Sequence, residues 1–414
     1  LPVSRSRSHS TTATGDVALA LVPSLDEIPA AAWNALVDDN DPFLEHAFLH
    51  ALERSGSVGR RAGWLPSYLV ARDAADPGAL LAAVPLYLKS HSYGEFIFDW
   101  GWASSASRAG IAYYPKLVAA APFTPATGQR LLTRRDLPSE TRASLEEALC
   151  HGLLWAAEQL QASSVHVLFC TPEERARLGE HGFSPRMGLQ FHWLNRTPGP
   201  YRDFGDFLSA FRSRNRKQVR HERAIAAGHG LRLATRTGPE LNDAEWAALE
   251  AFYEANIEKH DGARYLTPAF FKELRTHLAD RVVATFAYDE QDRPVAGTLN
   301  FQRGQHLYGR YWGALLEREM LHFELCYYQL IDHAVRHGMT RFEAGAQGEH
   351  KLKRGLDAAP IYSAHLIRHP GLAAAVDRFV KAEEAEVREE IQRYKELSPY
   401  ARAATGVPST EPSP

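Results

Sequence analysis

Tyr68-Leu-Val-Ala-Arg-Asp73, Leu80-Leu-Ala-Ala-Val-Pro-Leu-Tyr-Leu88 and Tyr93-Gly94 follow one another in the first quarter of the chain. Ala284-Thr-Phe-Ala-Tyr-Asp289, Pro294-Val-Ala-Gly-Thr-Leu-Asn-Phe301 and Tyr308-Gly309 repeat the order in the second half. Each series is an extended run, an acidic turn, a second extended run and a Tyr-Gly pair. Period-2 alternation around turn residues predicts an antiparallel hairpin. Two such series, half a chain apart, suggest a duplicated domain, although unrelated hairpins would give the same pattern.

Helical patterns surround both hairpins. Before the first, residues 31–51 carry apolar positions at helical spacing, with a break at Pro42. After it come an amphipathic helix over 145–160 and a strand over 164–169. In the second half, helices are predicted over 243–259, 268–278 and 322–336, the last stopped by Gly338, followed by a strand over 340–344. Each half reads helix, helix, strand, strand, helix, strand. The expected class is mixed α/β with mainly antiparallel sheets. The turn-rich segment 195–205 marks a boundary. The expected organisation is a flexible tail (1–15), an N-terminal domain (16–194), a C-terminal catalytic domain (195–368), a C-terminal helix (369–398) and a Pro/Ser/Thr-rich disordered tail (399–414).

Composition narrows the function. The chain has 414 residues, 45% hydrophobic and 23% charged, which fits a globular protein. No apolar run approaches the roughly 20 residues of a membrane span. Residues 1–15 hold four serines, two arginines and no long apolar core, unlike a secretory signal. Three scattered cysteines, Cys150, Cys170 and Cys326, suggest neither a disulfide framework nor a metal site, and a reducing cytoplasmic setting is expected. With 47 basic against 50 acidic residues, any polyanion must meet a local patch. That patch is Phe211-Arg-Ser-Arg-Asn-Arg-Lys-Gln-Val-Arg-His-Glu-Arg223, which offers Arg212, Arg214, Arg216, Lys217 and Arg220 to phosphates. A solvated helix face with scattered ion pairs is the plain alternative. H-E-x-x-H, G-x-S-x-G and P-loop motifs are absent from the sequence.

Arg216-Lys-Gln-Val-Arg-His-Glu-Arg-Ala-Ile-Ala-Ala-Gly-His-Gly-Leu-Arg232, followed by Phe252-Tyr253, resembles the basic helix, glycine turn and strand of Fem-type aminoacyltransferases. Pro42-Phe-Leu-Glu-His-Ala-Phe-Leu-His-Ala-Leu-Glu53, Pro85-Leu-Tyr-Leu-Lys-Ser-His-Ser-Tyr-Gly-Glu95, Gln190-Phe-His-Trp193, Leu307-Tyr-Gly-Arg-Tyr-Trp-Gly313 and Phe342-Glu-Ala-Gly-Ala-Gln-Gly-Glu-His-Lys-Leu352 resemble the FemAB-like (peptidoglycan biosynthesis/recognition) family of GNAT-type acyltransferases. The resemblance implies tandem GNAT-like domains. It implies amide formation on an amine of a small molecule or cell-wall precursor, with aminoacyl-tRNA as co-substrate and no other cofactor. It also implies that a lysine following a hydrophobic residue stabilises transition-state charge, which maps onto Lys353, with Lys351 as the alternative.

The residues themselves carry chemistry. Strand alternation over 307–313 puts Tyr308, Arg310 and Trp312 on one face, where they either bind substrate or pair Arg310 with an acid such as Glu343. The segment 341–355 holds three glycines that let backbone approach a ligand, together with Glu343, Gln347, His350, Lys351 and Lys353. An amine attacking an ester needs a base and oxyanion donors. His322, Glu324 and His350 are the candidate bases, and His322 alternatively does no more than start its helix. Tyr93, in the aromatic loop 89–102, is a candidate for an acceptor pocket between the halves. In acyl-CoA enzymes of this superfamily a glycine-rich turn cradles pyrophosphate with backbone N–H groups. Here residues 314–322 contain no glycine and two glutamates, which disfavours CoA and leaves acetyl-CoA as the alternative donor. A non-catalytic module binding a phosphorylated glycan or RNA is the alternative of another class.

Overall fold

The computed structural model describes residues 11–14, 17–259, 262–346 and 348–401. The first half runs β1 (Thr11–Thr14), β2 (Val17–Val22), α1 (Ala30–Asn34), α2 (His46–Arg54), β3 (Trp64–Pro66), β4 (Tyr68–Asp73), β5 (Leu80–Val84), β6 (Leu86–Lys89), α3 (Trp100–Arg108), β7 (Lys116–Ala119), β8 (Leu132–Thr133), α4 (Ser139–Gln159), β9 (Ser164–Cys170), α5 (Pro172–Glu180) and β10 (Ser184–Leu194). The second runs α6 (Phe204–Ser209), α7 (Ser213–Ala227), β11 (Arg232–Thr237), α8 (Asp243–Lys259), α9 (Pro268–His277), β12 (Val282–Tyr288), β13 (Pro294–Arg303) and β14 (His306–Ala314). Then α10 (Leu321–Phe323) passes through a π-helical stretch, Glu324–Tyr328, into α11 (Gln329–Arg336). Next come β15 (Arg341–Glu343), a 3-10 turn (Glu349–Arg354), β16 (Asp357–Ile367) and α12 (Pro370–Leu397).

The fold is mixed α/β with mainly antiparallel sheets and a C-terminal helix. Both expected hairpins form, β4–β5 and β12–β13. Pro85 cannot donate a ladder hydrogen bond, and at it the first hairpin's second run splits. β5 stays in a five-stranded sheet (β1-β2-β4-β5-β8), and β6 enters an eleven-stranded one (β11-β12-β13-β14-β15-β10-β16-β9-β7-β6-β3). Each half contributes one parallel pair, β7 with β9 and β14 with β15.

Two strands cross between the halves. β10 precedes the 195–205 break yet pairs with β15, His192 opposite Glu343, and β16 returns to pair with β9. Within the stretch expected as an N-terminal tail, Thr11–Thr14 pair with β2. Within the expected C-terminal tail, Tyr400 is buried and donates to the Gly355 carbonyl at 2.7 Å. Pro399 and Ala401 on either side of it hydrogen-bond through their backbones to Arg212 and Ala210, and residues 1–10, 15 and 402–414 lie outside those described.

The largest apolar cluster joins the halves. Phe43 packs edge-on against Phe301 and Tyr308 at 5.3 and 5.0 Å, and Phe48 against Phe270 at 5.8 Å. Truncating such a ring to alanine costs about 3–5 kcal/mol. Arg281 clamps Glu45 with two bonds of 2.6 and 2.9 Å across the same junction.

Candidate active site

β14 and β15 pair at His306, Leu307 and Tyr308, opposite Arg341, Phe342 and Glu343, and then part. The cause is local on both strands. On β14, Leu299 faces Tyr311 while Asn300 faces Gly309, so Arg310 is an extra residue, a β-bulge that bends the strand. After β15, Gly345 at φ +77° turns the chain aside.

The bulge also corrects the face expectation for β14. Tyr308 and Tyr311 pack in the core between the halves. Trp312 packs on the opposite side with Leu321 and Leu325. Strict alternation would have kept Tyr308, Arg310 and Trp312 together; one inserted residue shifts the parity after Arg310.

The 3-10 turn Glu349–Arg354 closes the opening. With three residues per turn, positions i and i+3 eclipse. Lys351 and Arg354 therefore share the inner side and are buried, whereas His350 and Lys353 share the outer side and are exposed. Lys351 Nζ donates to the Gly345 carbonyl at 2.9 Å and forms no ion pair among the described residues. Burial lowers its pKa to about 8. Arg354 holds Glu222 of α7 with bonds of 3.0 and 3.1 Å, lies over Phe323 at 3.4 Å, and is joined there by the Tyr328 hydroxyl.

His322 and His350 border this turn. Their rings stand 6.4 Å apart, and the His350 Nε2 is 2.9 Å from the Tyr327 hydroxyl. Burial, with His350, Arg354 and Lys351 nearby, pulls His322 down to about 4. Burial also lowers His350, with Arg354 and Lys351 adding to it. Glu324, the other base candidate, is buried and held by Arg223 at 3.0 and 3.1 Å and by Gln329 at 2.8 Å. Its oxygens are committed to structure.

The remaining candidates separate from this group. Glu343 faces the N-terminal half, whose Thr127 N–H donates to it at 3.3 Å, and Arg341 of its own strand lies at 3.0 Å. Burial raises its pKa although Arg341 opposes the shift. Arg310 forms no ion pair with Glu343: it donates to the Phe123 carbonyl and stands 5.1 Å from the Tyr311 ring centre and about 6 Å from those of Phe43 and Phe96. Tyr308 is buried, donating to the Asn40 carbonyl at 3.0 Å. Tyr93 is exposed beside Trp100, and its loop meets the second half where Phe96 approaches Tyr265 at 6.2 Å. Gln347 lies outside the described residues. Tyr327 and the Arg354–Glu222 pair, both at the site, escape the sequence reading because no motif or spacing marks them.

Beside Trp312 and His322 a cleft of about 510 Å³ runs along Leu315–Glu319 and the end of α8. Its wall depends on Gly313: a Cβ there would lie 1.9 Å from the Phe252 carbonyl oxygen, so only glycine lets β14 lie on α8 this closely. Glu317 on the cleft loop pairs with Lys259, and the Glu319 carbonyl accepts from His229 at 2.9 Å.

The basic segment forms α7 with two faces. Val219, Glu222, Arg223 and Ala226 turn inward, and through Glu222–Arg354 and Arg223–Glu324 they hold the turn and the π-helical stretch. Arg214, Lys217 and Arg220 project outward, with Arg212 at the N-cap, and none of the four has an ion-pair partner among the described residues. Arg216 bends back to the Ser209 carbonyl at 3.2 Å.

Among solved structures, the chain is similar to FemX (10% identity, 84% of this chain and 97% of that one, TM-score 0.49). It is also similar to L-PGS from Bacillus licheniformis (12% identity, 83% and 98%, TM-score 0.46). No curated protein sequence matches it. Residues 24–402 match the FemAB-like family, described as peptidoglycan biosynthesis/recognition, and the chain belongs to that family.

Proposed function

We propose that the protein is an acyltransferase that forms an amide on an amine of a small-molecule or cell-wall-precursor acceptor, with aminoacyl-tRNA as its preferred donor. One observation carries the reading: a parallel strand pair that parts at a bulge, with a buried lysine at the opening that pairs with no carboxylate among the described residues. In the reaction the acceptor nitrogen attacks the ester carbonyl. The C–N bond forms, the C–O bond breaks, and the 3′-hydroxyl of the RNA leaves with a proton. Lys351 in its ammonium form faces the developing oxyanion. His350, hydrogen-bonded to Tyr327, takes the proton from the amine. Burial brings Lys351 down to about 8 and His322 down to about 4, so His322 is a weak proton acceptor, and the hydrogen bond to Tyr327 orients His350 for the transfer.

The donor preference rests on charge. The cleft loop Leu315–Glu319 offers two glutamates and no glycine, a poor seat for a diphosphate, whereas the outer face of α7 presents unpaired cations suited to RNA phosphates. The acyl-CoA reading is favoured by the cleft itself, which has Arg318 in its wall. The test supplies labelled aminoacyl-tRNA or labelled acyl-CoA with a panel of amines. Amide label that depends on intact tRNA supports the proposal. Label from acyl-CoA, or transfer that survives ribonuclease, replaces the donor. No transfer from either, with RNA or glycan binding retained, replaces the enzyme with a recognition module.

A further inference from the structure

We propose that Glu147, His151 and His181 form a binding site for a divalent transition-metal ion, zinc fitting best, that staples α4 to α5. The three are the only group of this kind among the described residues, each offering one ligand atom, with all these atoms within 4.8 Å of one another.

The sequence builds the site simply. Glu147 and His151 stand one turn apart on α4, so their side chains lie on the same face. His181 ends α5, where Gly182 at φ +82° reverses the chain. The two imidazoles converge on one carboxylate. His181 Nε2 is 3.0 Å from one oxygen of Glu147, His151 Nε2 is 3.8 Å from the other, and the rings stand 5.0 Å apart.

A tetrahedral zinc ion with bonds of about 2.0–2.1 Å holds its ligand atoms roughly 3.3 Å apart. Small side-chain rotations reach that spacing, and Glu147 and His151 are half exposed and free to make them. The neighbouring cation does not compete: Arg177 is held by Glu146 at 2.8 Å. Two neutral imidazoles and one carboxylate leave a net negative site with a fourth position for water. Two nitrogens among three ligands select zinc and its neighbours over magnesium or calcium, which take oxygen.

The staple has a structural target. α5 carries Glu174, whose carboxylate accepts the Arg130 and Leu131 amides at 2.6 Å each and so ties α5 to the strand at β8. Fixing α5 to α4 fixes that junction.

The experiment uses the full chain without a polyhistidine tag, stripped with chelator and titrated with zinc chloride by calorimetry, with melting temperature read in parallel. The expected result is one zinc ion per chain and a melting temperature that rises with zinc. Both are lost in His151→Ala/His181→Ala and in Glu147→Gln, and both are retained in His337→Ala, an exposed histidine elsewhere. Zinc-free melting temperatures of the variants match the parent, showing that they fold. Absence of zinc binding by the parent, or equal binding by the double variant, overturns the site.

Discussion

The ammonium group of Lys351 sits 2.9 Å from the carbonyl oxygen of Gly345, the residue at which the chain turns away from β14. Among the described residues no carboxylate compensates its charge. Lys116, in the other half, shows the contrast: it is buried between Glu95 and Asp99, and those carboxylates raise its pKa against the effect of burial. That lysine is neutralised by its surroundings, whereas Lys351 is not.

The pH dependence of activity follows. If the reaction needs protonated Lys351, activity falls as pH rises through about 8, and Lys351 imposes no pH dependence below that value. Lys351→Arg, if it retains turnover, moves the alkaline limb out of the measurable range. The acid limb belongs to His350, whose lowered pKa keeps the base neutral below the ordinary histidine value of 6.5. A kcat that rises through pH 8 would assign Lys351 the role of base. The same depression bears on stability. The cost of burying charged Lys351 is fully present below its folded pKa of about 8, and it is relieved as pH rises toward the ordinary 10.5.

The Arg354–Glu222 pair fixes the turn. Removing one partner leaves a buried charge, so Arg354→Met or Glu222→Leu alone is expected to cost about 3–5 kcal/mol in urea unfolding. The double substitution is expected to recover a large part of that loss. Additive single effects would show that the pair does not act as a unit.

Charge reversal of Arg214, Lys217 and Arg220 tests the outer face of α7. None of the three has an internal partner among the described residues, so folding is expected to persist. Losing three phosphate contacts lowers the slope of log affinity against log salt for tRNA by about 2. An unchanged slope would detach α7 from the donor.

Gly313→Ala is expected to destabilise the protein and reshape the cleft, because the new methyl would meet the Phe252 carbonyl oxygen at 1.9 Å. Thermal unfolding and donor KM read the two effects. Parent-like values in both would show that β14 does not need this close approach.

Local pattern carried the sequence reading a long way. Asp243–Lys259 is helical to the residue, and the helix expected over 145–160 runs from Ser139 to Gln159. Those signals are periodic and short-range. The exchange of β10 and β16 depends on contacts such as His192 with Glu343, far apart in sequence, and no local signal encodes it. The bulge at Arg310 is one inserted residue, invisible to an alternation rule, and it turned Trp312 to the other face. At the site, the segment 341–355 was legible as chemistry because glycines and titratable groups crowd together. Which of Lys351 and Lys353 is buried was not legible from a hydrophobic residue beside each. It depends on the three-residue period of a turn whose inner side is fixed by Arg354 and Glu222.

Single-turnover transfer from charged tRNA by Lys351→Met and Lys353→Met separates the buried lysine from the exposed one. The account predicts a loss of about 10²–10³ in rate for Lys351→Met, the size expected for removing one oxyanion-stabilising group. It predicts a rate near that of the parent for exposed Lys353→Met. A parent-like rate in Lys351→Met, or the larger loss in Lys353→Met, would contradict it.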